Sequence, residues 1–329
     1  MTAHASAAGD WQLGDRRVNR LGYGAMRLTG NGMHGNSDGP PIDRAAAVRL
    51  LHTAFEHGVD HVDTAAFYFS PLRSANGLIG RALATWPGAD RITVATKVGP
   101  GRTPDGAWYT MARPEQLRAQ VEENLRQLGT DHLDLVNLRR NGPDAESVAE
   151  HFGALADLRR AGLIRHLGLS NARPEHVHQA RAIAPVVCVQ NSYGLDRRLA
   201  DDNGLLDLCR GLGIAFVPFF AISGRAREGA PAAERDARVH AVAAAHGATP
   251  AQVRLAWTLH RGPHVLAIPG TSNPAHLAEN LDAGALRLTA EQLALLDGLD
   301  GPAPGTDARA GHQDPRNPAS GPEEPGVRT

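Results

Sequence analysis

GYGAMRLTG, residues 22–30, decides between two folds. It opens like the G-x-G-x-x-G turn of a dinucleotide-binding open sheet, but Arg27 stands where the third glycine belongs. In that fingerprint the glycines let a pyrophosphate approach the backbone and let the following helix pack tightly on its strand. A broken copy of an already weak motif removes the marker of an open, doubly wound sheet. The reading therefore turns to a closed barrel.

The rest of the chain supports the barrel. Short β-branched runs at 20–22, 59–63, 92–97, 133–138, 164–170, 186–190, 214–218 and 264–268 read as strands. Helical patterns lie between and after them, near 43–57, 74–84, 114–128, 144–160, 174–184, 201–212, 231–246 and 274–284. Asp43, Ser74 and Thr249 suit N-caps, and Pro114, Pro174 and Pro250 suit first helical turns. Gly58, Gly129, Gly162, Gly213 and Gly247 suit helix stops, so glycine followed by a strand recurs five times. Runs such as ITVATK (92–97) and VVCVQ (186–190) are nearly continuous in apolar residues, as strands covered on both faces should be. The pattern predicts an α/β protein, a (β/α)8 TIM barrel over residues 11–300. WQLGDRRVN (11–19) reads as a β-hairpin that plugs one end of the barrel. Residues 1–10 read as a flexible N-terminus. The Pro-, Gly- and charge-rich stretch 301–329 reads as a disordered tail.

Composition narrows the function. The chain has 329 residues, 42% of them hydrophobic, enough for a substantial core. Its 34 Lys and Arg balance 35 Asp and Glu, which argues against nucleic acid and anionic membrane as partners. Cys188 and Cys209 provide no disulfide framework, and no His/Cys cluster has metal-ligand spacing, so no metal is expected. MTAHASAAGD has no apolar run of a secretory signal, and no window has the apolar length of a membrane helix. The expected location is cytoplasmic.

In such a barrel the site lies at the C-terminal ends of the strands. The second strand ends in Asp63, with Tyr68 five residues on, inside DTAAFY (63–68). The third ends in Lys97, the fourth runs through Asn137 and Arg139, the fifth ends in Ser170 and Asn171, and the sixth ends in Gln190 with Tyr193 beyond. A buried lysine at a strand end needs a counter-charge, and Asp63 on the neighbouring strand supplies one. An ammonium beside a phenol stabilises the phenolate left after proton donation. That combination delivers a proton to a carbonyl oxygen as hydride reaches the carbon, a general-acid role typically worth about 10²–10⁴ in rate.

GYGAMRL, DTAAFY, VATK, LDLVNL, GLSN, VQNSY and IPGTS, in that order, resemble the aldo-keto reductase superfamily. The resemblance covers roughly residues 10 to 300 and rests on an ordered set of motifs. It implies an NAD(P)H-dependent reductase of aldehydes or ketones on a (β/α)8 barrel, with Tyr68 as acid, Lys97 and Asp63 beside it, and a small-molecule carbonyl as partner. It also implies that Ser170, Asn171 and Gln190 hold the nicotinamide carboxamide and that the ring stacks on Tyr193. PFFAISGRAR (218–227) resembles the loop that closes over the pyrophosphate, making Phe219, Ser223, Arg225 and Arg227 candidates there. Glu279 and Asn280 match the family's adenine-side pair.

The departures from the family pattern raise two questions. Most members end the fourth strand with a histidine; here Arg139 aligns with it, and Asn137 lies two residues earlier on the same face. Either residue is a candidate to face the substrate oxygen. The lysine and arginine that clasp a 2′-phosphate after the eighth strand are replaced by Gly270 and His276, leaving Thr271, Ser272 and a helix N-terminus for that role. NADPH is the expected cofactor, with NADH as the alternative. Met26, Phe69, Trp108 and Tyr109 are candidates for the substrate pocket. NLR at 137–139 with VPFFAISG and IPGTS most resembles the branch that includes bacterial pyridoxal reductases. Two other readings stay open: a biosynthetic ketoreductase acting on a sugar or polyketide, which the Ala, Arg and Gly content of a GC-rich bacterial genome would suit, and a non-catalytic, cofactor-sensing binding subunit. Oligomeric state is not legible.

Overall fold

The computed structural model describes residues 4–30, 42–103, 107–141, 146–222 and 233–298. The tail at 301–329 and the candidates Ser223, Arg225 and Arg227 lie outside the described residues. Seven parallel strands run in chain order around the sheet: Tyr23–Gly24, His61–Asp63, Thr93–Val98, Leu133–Arg139, Ile164–Ser170, Val186–Gln190 and Ala215–Phe216. The segment 264–268 closes the circle. Val265 bridges Phe216 on the seventh strand, and Ala267 bridges Leu21 at the start of the first, both in parallel. Gly22 N donates to Ala267 O at 2.8 Å, and Ala267 N donates to Arg20 O at 2.8 Å. The barrel expected from the sequence is therefore present.

The glycines of GYG serve that closure. A Cβ on Gly22 would lie 2.2 Å from the ring of His61, and one on Gly24 would lie 2.5 Å from Ile268 O. Neither approach tolerates a side chain, so both positions are fixed by strand packing.

The helix signals hold where they are local. Asp43 caps Arg44–Glu56 by accepting from Ala45 N and Ala46 N, Ser74 caps Ala75–Ala84, and Thr249 forms a capping box with Gln252 at Pro250–His260. All five glycines expected to stop helices have φ between +59° and +84°, the left-handed region that disfavours side chains. The helix expected at 201–212 is instead two, Leu199–Asp202 and Leu205–Leu212, divided at Gly204 with φ +74°. Two short hairpins stand on the rim where plain loops were expected: Phe69–Ser70 with Arg73–Ser74, and Pro100–Arg102 with Trp108–Thr110. Among the described residues no helix is long and apolar enough to cross a membrane.

The hairpin Asp10–Leu13 and Arg16–Asn19 plugs the end opposite the rim. Its Leu13 and Val18 pack inside the barrel with Ala95, Leu135, Cys188, Ala215, Val217 and Leu266. Each such side chain contributes about 1.5–3 kcal/mol by leaving water. The expectation of a flexible 1–10 needs correction over residues 4–10, while 1–3 lie outside the described residues. Ala5–Ala8 forms a 3₁₀ turn with Ala5 and Ala8 buried, and Ala5 N donates to His57 O at 2.8 Å. Alanines carry little side-chain entropy to lose, so a short apolar turn docks where composition alone suggested a loose end.

Candidate active site

The second and third strands carry the centre of the rim. Asp63 and Lys97 are 5% and 2% exposed. Lys97 Nζ donates to Asp63 Oδ1 at 2.7 Å, to Asp63 Oδ2 at 2.8 Å and to Thr64 O at 2.9 Å. Burial alone would lower the Lys97 pKa. The Asp63 carboxylate and the Tyr68 phenol outweigh it and hold the pKa above the ordinary lysine value. Tyr68 follows a turn in which its N–H donates to Ala65 O at 2.9 Å, and its ring centre lies 4.7 Å from Lys97 Nζ. The sequence-predicted trio Asp63, Tyr68 and Lys97 is thus brought together.

The sixth strand adds an amide. Gln190 Nε2 donates to Asp63 Oδ1 at 2.8 Å, while among the described residues Gln190 Oε1 is buried without a partner. Such an acceptor is costly unless something donates to it. The amide N–H₂ of a carboxamide is a fitting donor, and Ser170 and Asn171 on the next strand flank the same place. Asn171 is held with φ +56°, its N–H donating to Gln190 O at 3.1 Å and its Nδ2 to Arg140 O at 3.2 Å. The residues present therefore fit a nicotinamide carboxamide.

Tyr193 does not join them. Its ring is fully buried, stacked on Trp257 at 5.9 Å and edge-on to Phe216 at 5.5 Å. Its hydroxyl donates to Asp201 and accepts from Arg261 Nε at 3.0 Å. With its hydroxyl engaged and its ring enclosed, Tyr193 exposes no face at the rim in this structure. On that side of the rim Phe219, at the end of the seventh strand and bridged to Ser192 just beyond the sixth, is half-buried. Phe220, next in the chain, adopts φ +65°, a strained value for a bulky residue.

On the fourth strand, Arg139 and Asn137 separate clearly. Asn137 is fully buried, paired in register with Lys97 and Gly168, and its amide lies against the buried Cys188 thiol. Arg139 is half-buried at the rim. Its Nη1 donates to Ser170 Oγ at 3.3 Å, and its guanidinium lies 5.1 Å from the Phe219 ring centre. Burial lowers its pKa from the usual arginine value, while Tyr68 and Asp63 pull it back up.

The remaining candidates line the edges. Phe69 and Trp108 are half-buried, and Tyr109 is 46% exposed on its hairpin. Met26 packs half-buried against the core at the start of the first βα turn. Sequence reasoning missed Arg102. Its guanidinium lies over Phe69 at 5.1 Å and Trp108 at 5.9 Å and donates to Phe69 O at 2.7 Å. The signal was the rim hairpin itself, since pairing of Arg102 with Trp108 places them together. After the eighth strand, Gly270 abuts Gly24, and Thr271 Oγ1 accepts from Asn273 N at 3.0 Å. Asn273 caps the helix Pro274–Asp282. Ser272 and Glu279 are half-buried, His276 is exposed and Asn280 is buried, all on the loop or helix that starts there.

Comparisons with known proteins place the fold. A family model described as the aldo/keto reductase family matches residues 20–300. The pyridoxine 4-dehydrogenase of Escherichia coli (strain K12) is 43% identical over 292 residues, covering 87% of this chain and 96% of that protein. Among solved structures, the thermostable aldo-keto reductase Tm1743, in complex with the inhibitor epalrestat, superposes with a TM-score of 0.74 at 30% identity, over 88% of this chain and 99% of that one. An aldo-keto reductase from Klebsiella pneumoniae in complex with NADPH gives 0.70 at 26% identity, over 91% and 95%.

Proposed function

The chain belongs to the aldo/keto reductase family, and from that premise we propose that it reduces an aromatic aldehyde of the pyridoxal type to the alcohol with NADPH. The observation that carries this is the Lys97 ammonium, fixed by both Asp63 oxygens and lying against the Tyr68 ring. The reduced dinucleotide, when bound, supplies hydride to the carbonyl carbon. Tyr68 donates its phenolic proton to the carbonyl oxygen, and Lys97 stabilises the phenolate that remains. Asp63 keeps Lys97 charged and oriented, and through Gln190 Nε2 it also turns Gln190 Oε1 toward the carboxamide. Ser170 and Asn171 complete that grip, and Phe219 offers a ring face in place of Tyr193. Arg139 sets a permanent positive charge beside the place where alkoxide charge develops; arginine does not release a proton at neutral pH. Asn137 lies too deep to touch substrate. Thr271, Ser272 and the N-terminus of Pro274–Asp282 suit the phosphate on the adenine side, where backbone N–H groups favour anions.

Pyridoxal, benzaldehyde and simple ketones, each offered with NADPH and with NADH and followed at the nicotinamide absorbance, test the reading. Turnover of pyridoxal with NADPH faster than with NADH is expected. Cofactor binding without turnover of any carbonyl would make the protein a sensor instead.

A further inference from the structure

The site carries a charge that the reaction as described leaves unbalanced. Lys97 and Asp63 neutralise each other at 2.7 and 2.8 Å. Arg139 has no such partner: among the described residues no carboxylate lies within salt-bridge distance, and its one hydrogen bond is the 3.3 Å contact to Ser170 Oγ. One face of the guanidinium lies toward the Phe219 ring. Among the described residues its other N–H donors have no hydrogen-bond acceptor, and only the more distant Asp63 carboxylate, already bonded to Lys97, acts on its charge, in a site whose Asp63, Lys97, Ser170 and Gln190 are all sealed from water. A partly desolvated guanidinium without a counter-ion is destabilising unless a ligand supplies the negative charge. The planar fork of arginine suits two oxygens side by side better than one. The register sets its direction: Arg139 pairs with Ser170 across the fourth and fifth strands, which places it between the carboxamide grip and the Phe219 face and within electrostatic reach of Tyr68. On the rim hairpins Arg102 lies over Phe69 and Trp108, flat groups that suit a planar ring.

We propose that Arg139 selects aldehydes that carry an acidic oxygen on the ring carbon next to the one bearing the carbonyl. Its fork donates to that ionised oxygen and to the carbonyl oxygen together. The inference rests on the reductase reading and adds the feature of the substrate that this chain recognises. The bound substrate supplies the missing negative charge, and the two-point grip turns the carbonyl oxygen toward the Tyr68 hydroxyl. A pyridoxal-type aldehyde has such an oxygen. A sugar aldehyde or an unsubstituted benzaldehyde does not.

The test compares kcat/KM with saturating NADPH for benzaldehyde, 2-hydroxybenzaldehyde, 4-hydroxybenzaldehyde and 2-methoxybenzaldehyde. The 4-hydroxy isomer keeps the electronic effect of the oxygen and moves it out of reach; the methoxy ether keeps the position and removes the acidity. The parent protein should prefer the 2-hydroxy aldehyde over both by about tenfold or more, because a site built to bond an oxygen discriminates strongly against analogues that lack it. Arg139→Met should bring those ratios to within about twofold, and Arg139→Lys, which keeps the charge and loses the fork, should restore only part of them. A parent that reduces benzaldehyde without ortho preference, or an Arg139→Met protein that keeps the preference, overturns the proposal and leaves the reductase reading standing. Failure to reduce any of the four, or pyridoxal, overturns both. The comparison in the parent needs no variant, so a poorly folding substitution does not spare the idea.

Discussion

Two buried tyrosines, five and three residues beyond the ends of their strands, show what separates a site from a core. Tyr68 and Tyr193 are 8% and 0% exposed, and each lies beside both a cation and a carboxylate. Around Tyr193 the arrangement is closed: the hydroxyl bonds Asp201 and Arg261, Arg261 in turn pairs with Asp201 at 3.2 Å, and the ring packs on Trp257 and Phe216. Burial, reinforced by the Asp201 charge, pushes the Tyr193 hydroxyl pKa above that of an ordinary phenol, so it keeps its proton. Around Tyr68 the arrangement is open. Lys97 is neutralised by Asp63, and among the described residues Gln190 Oε1 has no donor and Arg139 has no carboxylate within salt-bridge distance. Burial and charge occur at both places. Unmet demand for a ligand occurs only at the first of them.

The sharpest way to break this contrast is Tyr68→Phe. The substitution removes the proton donor and almost no packing volume, so kcat/KM should fall by roughly 100-fold or more while the NADPH Kd stays within about threefold. Steady-state kinetics with a calorimetric titration of NADPH check both halves. Retention of full kcat would place the acid elsewhere and remove the difference between the tyrosines.

A smaller effect is expected at the neighbouring ring. Phe219→Ala should raise the NADPH Kd about tenfold, near 1.4 kcal/mol, through loss of the aromatic face. The proton step should be nearly untouched, so kcat at saturating cofactor should change less than Kd does. If calorimetry instead finds the parent affinity, the ring that carries the cofactor is not at the end of the seventh strand.

Legibility followed the range of the interactions. The helix stops at Gly58, Gly129, Gly162, Gly213 and Gly247 were readable because a left-handed φ is a local demand with a residue-specific answer. Asp63 and Lys97 were readable because strand ends in a barrel converge whatever the loops do. The GYG glycines were readable as a broken fingerprint, whereas their actual duty, clearing the His61 ring and Ile268 O, depends on partners far along the chain or on the closing strand. The same limit explains why the packing of Tyr193 was not legible. Its N–H donates to Phe219 O, which ties the segment to the seventh strand and sends the ring inward, and nothing within VQNSY announces that turn. Arg102 was missed because only the rim hairpin brings it over Phe69 and Trp108. The docked Ala5–Ala8 was missed because its value lies in the surface it covers.

The smallest expected effect on catalysis is the most instructive. Tyr193→Phe deletes the hydroxyl that bonds Asp201 and Arg261 and leaves the ring on Trp257. Those two charged groups still meet at 3.2 Å, and they are only partly buried, with side chains 22% and 28% exposed. Water and their mutual pairing therefore make good much of the lost bonding. Stability should drop by about 1–2 kcal/mol, below most of the roughly 1.5–3 kcal/mol of a hydrogen bond to a charged group, and kcat, KM and the NADPH Kd should each stay within about twofold. Denaturant melts and the same kinetics, run beside Tyr68→Phe, measure the contrast directly. A Tyr193→Phe protein of parental stability that binds NADPH tenfold more weakly would mean that Tyr193 carries the nicotinamide after all. The closed network around its hydroxyl would then have to open when the cofactor enters.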